Sequence, residues 1–117
     1  MAMSVTLWHN PRCSKSRQTL ELLTAAGHDP QIIRYLENPP SVEELHSALA
    51  LLEIPAIKLM RSGEKRFREL GLSKTDADAE LIAAMAENPI LIERPVVFAN
   101  NRAAIGRPPQ TVLALFD

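Results

Sequence analysis

A strand, a helix and a second strand follow one another at the start of the chain, and that order constrains the fold more than any other feature. Val5-Thr6-Leu7-Trp8 is a β-prone run that stops at His9-Asn10-Pro11, where asparagine and proline favour a turn. From Ser14 to about Ala26 the pattern turns helical, with Leu20 and Leu23 on one face and Gly27 placed to end it. Ile32 and Ile33, within PQIIRYL, then form a second strand candidate before Asn38-Pro39-Pro40 breaks the chain again. Two strands joined by a helix of this length pair in parallel through a crossover, which makes this segment a βαβ unit.

The middle of the chain is helical. Ser41-Val42-Glu43-Glu44 is a capping box, and Leu45, Ala48, Leu49 and Leu52 follow at the spacing of one helix face. A short helix is predicted through Ile57, Leu59 and Met60 to Arg61, with a helical turn at Phe67 to Leu70 among loops. A further helix capped by Asp76 or Thr75 carries Leu81, Ile82 and Met85 and closes at Asn88-Pro89. The period then changes. Pro95 to Ala99, the turn Asn100-Asn101, and Arg102 to Ile105 read as a β-hairpin, followed by a last helix with Val112, Leu113 and Phe116. The class is therefore α/β: a four-stranded mixed sheet with flanking helices in the thioredoxin-like arrangement, with a helical region inserted at approximately 41–87. At 117 residues the chain is the size of one domain.

Hydrophobic residues make up 46% and charged residues 23%, the balance of a soluble globular protein. The formal charge of −1 advertises no nucleic-acid partner. No basic start with an apolar run marks an export signal, and no apolar stretch approaches the roughly 20 residues needed to span a bilayer, so a cytoplasmic protein without a membrane partner is expected. Arginine outnumbers lysine nine to four, which favours oxyanion recognition because the guanidinium fork pairs bidentately.

The chain has one cysteine, Cys13, in the stretch LWHNPRCSKSR. A free cysteine is usually a small buried hydrophobe. Cys13 instead falls in a polar loop just after a strand, where Ser14 begins a helix. Free amides and the helix dipole there favour a thiolate and can bind an anion. Arg12, Lys15 and Arg17 add positive charge nearby, and His9 either adds charge when protonated or orients the loop by a hydrogen bond. A nucleophile beside an anion site points to an anionic electrophile as substrate. Arg61, Arg94 and Arg107 each fall at a boundary between elements, and Arg94-Pro95 precedes a strand expected beside the thiol loop. Convergence of the three arginines, and a cis Arg94-Pro95 bond, are expected. With a single cysteine, redox work must borrow a second thiol from another molecule.

An ordered set of motifs resembles the glutaredoxin-coupled arsenate reductase (ArsC) family, specifically its short members. These are HNPRCSKSR at 9 to 17, YLENPP at 35 to 40, LMR at 59 to 61, LGL at 70 to 72, NPILIERPVV at 88 to 97 and IGRPP at 105 to 109. The resemblance covers essentially the entire chain. It implies that Cys13 is the nucleophile, that Arg61, Arg94 and Arg107 hold the oxyanion, that His9 lowers the thiol pKa and that Ser16 supports the thiolate. It further implies reduction of arsenate to arsenite through a cysteine–arsenic adduct, with glutathione as co-substrate, glutaredoxin as partner, no metal or bound cofactor, and a monomer. Two other readings remain open: a glutathione-dependent thiol oxidoreductase of another substrate, and a regulatory module similar to the Spx-type regulators, whose Cys-x-x-Cys switch is replaced here by Ser16 at the second position.

Overall fold

A computed structural model describes residues 4–117. The chain divides into two compact units, one made of the segment up to Asn38 together with Arg94–Asp117 and the other of Pro39–Glu93.

The first unit holds the sheet. Strand β1 (Val5–Trp8) leads through a turn into helix α1 (Ser14–Ala25), which returns the chain to β2 (Gln31–Ile33). Strands β3 (Val96–Ala99) and β4 (Arg102–Ile105) form the hairpin, and the sheet order is β2-β1-β3-β4. Strand β1 pairs in parallel with β2 and antiparallel with β3, and β3 pairs antiparallel with β4. This is the thioredoxin-like arrangement predicted above. Asn100 and Asn101 both take left-handed backbone angles, φ 56° and 57°, as a two-residue primed turn requires.

Register fixes the core. Ile32, Leu7, Val97 and Ala104 form one rung across all four strands. Leu7 and Val97, at the centre of that rung, are fully buried with Val5, Ala99, Leu23, Val112 and Leu115. Each such aliphatic side chain stabilises the fold by roughly 1.5–3 kcal/mol relative to exposure. On the other face, Trp8 and Phe98 approach with ring centroids 4.9 Å apart. The C-terminal segment Pro109–Phe116 is a 3-10 helix and not the α-helix expected. Its buried residues are Pro109, Val112 and Leu115, a period of three, and Phe116, partly buried, packs against the same core.

The second unit is helical. Helix α2 (Val42–Leu52) starts at the Ser41 capping box, with Glu44 N–H donating to Ser41 Oγ and Ser41 N–H donating to Glu44 Oε1, both at 3.1 Å. Leu45, Ala48 and Leu49 are buried as predicted. Helix α3 (Lys65–Glu69) and helix α4 (Asp78–Glu87) follow. Neither Thr75 nor Asp76 caps α4. Ala77 is its N-cap, while Asp76 Oδ2 accepts from Ser73 N–H at 2.8 Å and closes a turn within its own loop. The helix expected to reach Arg61 is a 3-10 turn over Ala56–Leu59 that stops early because Met60 is extended and bridges Ile92. Arg61 N–H donates to Leu91 O at 2.8 Å and Glu93 N–H to Leu59 O at 2.7 Å, which clasps the two segments together.

Candidate active site

The turn between β1 and α1 is built by Asn10. Its side-chain Oδ1 accepts from Arg12 N–H and its carbonyl from Cys13 N–H, both at 3.0 Å. Cys13 thereby becomes the N-cap of α1 in extended geometry, and no side chain caps the first turn. The thiol, half-buried and free, stands where a capping oxygen would stand, beside first-turn amides that lack intrahelical partners.

Under the loop lies a buried polar pair. His9 Nδ1 and Ser16 Oγ are 2.7 Å apart, and the same hydroxyl oxygen accepts from Asn10 N–H at 3.0 Å. Ser16 is fully buried and His9 nearly so. Burial first, then the charges of Arg34 and Arg17, hold the imidazole below its ordinary value of 6.5. The neutral ring is thus the native form at neutral pH, and its contact is with Ser16. Of the two roles considered for His9, a charge on the thiol or a hydrogen bond that orients the loop, the geometry displays the hydrogen bond. Ser16 likewise turns its hydroxyl to His9 and Asn10.

A polar contact on the sulfur comes from the opposite end of the sequence. Arg107 Nη2 lies 3.7 Å from Cys13 Sγ, while Arg107 Nε donates to the Arg94 carbonyl at 2.8 Å. One guanidinium is therefore fixed at one edge and presented to the thiol at the other. Arg94 is half-buried, with its Nε shielded from solvent. The Arg94-Pro95 bond is cis as expected, and the Arg107-Pro108 bond is cis as well.

Gly106 holds this arrangement close to α1. Its N–H donates to Pro95 O at 2.9 Å, and a Cβ at this position would lie 2.5 Å from Thr19 Oγ1 and 2.8 Å from Pro95 Cγ. Thr19 is fully buried and donates to Lys15 O at 2.9 Å, so it has little room to yield. Sequence reasoning missed Asn10, Thr19 and Gly106 as parts of the site. The glycine directly before Arg107-Pro108 was the one available signal.

The structure brings Cys13, His9, Ser16, Arg94 and Arg107 into the sheet unit. Arg61 belongs to the helical unit, where its Nη1 is bound by Glu64 and its Nε lies 3.9 Å from Glu93 Oε1. A cleft of about 460 Å³ opens there, lined by Met60, Arg61, Ser62, Gly63, Glu64 and Glu93. Among the described residues no three of His, Cys, Asp and Glu stand together as a metal site, and no helix is long and apolar enough to cross a membrane.

The chain is similar to several proteins over nearly its full length. A structure described as arsenate reductase from Vibrio cholerae superposes with a TM-score of 0.95 at 50% identity, covering 98% of this chain and 99% of that one. The arsenate reductase of Haemophilus influenzae is 45% identical over 97% of this chain and 99% of its own. The uncharacterised protein YfgD of Escherichia coli K12 is 46% identical over 98% of both chains. The model of the ArsC family matches residues 8–115, from the end of β1 to the last turn of the chain, and on that span and those identities the protein belongs to the ArsC family.

Proposed function

We propose that the protein reduces arsenate to arsenite, with Cys13 as nucleophile and glutathione and glutaredoxin as the source of the remaining thiols. The observation that carries this is the Arg107 guanidinium, anchored on the Arg94 carbonyl and directed at Cys13 Sγ. A fixed cation beside a thiol at a helix N-terminus stabilises negative charge on the sulfur, and the uncapped amides offer donors to an incoming oxyanion. The naming of full-length relatives as arsenate reductases supports arsenate as that oxyanion.

The chemistry runs in four steps. The Cys13 thiolate attacks arsenic, and one arsenic oxygen leaves as water after protonation. Glutathione thiolate then displaces a second oxygen, which also leaves as water after protonation, so that arsenic bridges the two sulfurs while still As(V). A glutaredoxin thiolate attacks the glutathione sulfur, and the electron pair of the broken As–S bond stays on arsenic, which becomes As(III). Hydrolysis of the remaining Cys13–arsenic bond releases arsenite and restores the thiol. The single cysteine fits this scheme, because the other two thiols come from outside.

In this scheme Arg107 and Arg94 hold the oxyanion at the sulfur, and the His9–Ser16 pair keeps the loop in place beneath it. A similar part for Arg61 rests on the family resemblance. The test is steady-state arsenate reduction with glutathione and glutaredoxin each withheld in turn. Turnover is expected only with both present. Turnover with neither, or none under any condition alongside rapid exchange with mixed disulfides, would favour a different oxidoreductase.

A further inference from the structure

Charge is divided unevenly along the chain. The sheet unit carries seven Lys or Arg against four Asp or Glu, and the helical unit six against ten. Four cations of the sheet unit fall on the segments that flank the thiol loop, with Arg34 following Ile33, whose carbonyl accepts from His9 N–H at 2.9 Å. Arg12 adjoins Cys13, Lys15 lies in the first turn of α1, and Arg17 and Arg34 are both near enough to His9 to depress its protonation. The first turn of α1 has no acidic residue. All four of these cations are exposed. Among the described residues Arg61 and Arg66 pair with carboxylates of the helical unit, whereas Arg12, Lys15, Arg17 and Arg34 pair with none. Arg17 braces the loop by donating to Pro11 O at 2.9 Å. Among the described residues the side chains of Arg12, Lys15 and Arg34 make no comparable contact.

Three unpaired, exposed cations exceed what a small oxyanion already served by Arg107 needs. The species that must still reach Cys13 is the second thiol. We infer that Arg12, Lys15 and Arg34 form a docking rim for a small anionic thiol, pairing with its carboxylates and delivering its sulfur to the group on Cys13. This deepens the reading of Cys13 as nucleophile and rests on it. A rim of this kind acts mainly through local concentration and encounter rate, which electrostatic focusing raises by about 10–10³-fold and salt suppresses.

The experiment needs no arsenic. Cys13 in the full-length protein is first converted to its 2-thiopyridyl disulfide, whose leaving group is neutral. A thiolate then attacks the Cys13 sulfur, the Cys13–pyridyl disulfide breaks, a new disulfide forms, and pyridine-2-thione departs with the proton on nitrogen. Rates are compared for glutathione and for its diethyl ester, each normalised to its reaction with a small neutral pyridyl disulfide. At low ionic strength glutathione should react about tenfold faster than the ester, and the advantage should vanish in high salt. The charge reversals Arg12→Glu, Lys15→Glu and Arg34→Glu together should abolish or invert it, whereas Arg12→Lys with Arg34→Lys should retain it. Equal normalised rates for the two thiols on the parent protein would overturn the rim, as would a preference that survives the triple reversal. Arsenate reduction without the preference would sink the rim and leave the proposed activity standing. The preference without arsenate reduction would do the reverse.

Discussion

The sheet unit and the helical unit each present an arginine whose neighbours define its use, and the two are handled in opposite ways. Arg107 donates to a backbone carbonyl, a neutral acceptor, and its guanidinium also reaches Cys13. Arg61 is bound to Glu64 and lies near Glu93, so its charge is balanced by carboxylates of its own unit. Both follow the end of an element in the sequence. Similar places in the sequence thus lead to different neighbours, a thiol for one arginine and carboxylates for the other.

Cys13→Ser is the severest test of where the chemistry lies. Arsenate reduction should fall to the uncatalysed background, because a hydroxyl is a poor nucleophile near neutral pH. The melting temperature should stay close to that of the parent, since the residue is only half-buried. Parent-like activity in the variant would remove the sheet unit from the reaction.

Exchange of each arginine for lysine sharpens the contrast. Arg107→Lys keeps the charge but cannot reach the Arg94 carbonyl and the sulfur together, and should cost about 1.5–3 kcal/mol in kcat/KM for arsenate. Arg61→Lys should cost at least about 1 kcal/mol less, because an ammonium can still pair with the Glu64 and Glu93 carboxylates. Steady-state kinetics of both variants settles the matter. Equal losses would mean that the two arginines are not handled differently.

A pair of glycines gives the same comparison in stability. Gly106→Ala places a methyl group against Thr19 and the Pro95 ring, and should lower unfolding free energy by about 1–3 kcal/mol as overpacking does. Gly63→Ala, in the helical unit, meets nothing within 4 Å and should change stability by less than about 0.5 kcal/mol. Chemical denaturation of the two variants checks both values.

The smallest effect concerns His9. Its native pKa is depressed by burial and by Arg34 and Arg17, so the unfolded chain takes up the proton first as pH falls. Stability from the neutral ring is complete above the unfolded value near 6.5 and is lost as pH drops from there toward the native pKa. His9→Gln should flatten that part of the pH–stability curve. An unchanged slope in the variant would assign it to other groups.

Much of the fold was legible because its signals are local. The β-prone run Val5 to Trp8, the capping box at Ser41 and the asparagine turn at 100–101 each specify a few residues of backbone. Elements decided by distant partners were not legible. Met60 leaves helical geometry because it bridges Ile92, and Asp76 is drawn to Ser73, leaving Ala77 to start α4. The last helix was misjudged because α and 3-10 periods differ little over eight residues. Within the site, the residue types were visible but their pairings were not. His9 and Ser16 meet because of the turn made by Asn10, and Arg107 is held by a carbonyl, which every residue has and no sequence marks.

The most direct test is the state of Cys13 during turnover. With arsenate and glutathione present and glutaredoxin withheld, Cys13 should become resistant to alkylation, one thiol per chain, and mass spectrometry should find arsenic and glutathione on its peptide. Addition of glutaredoxin should restore alkylation as arsenite appears. Arsenite released while Cys13 remains open to alkylation throughout would contradict a covalent role for this thiol.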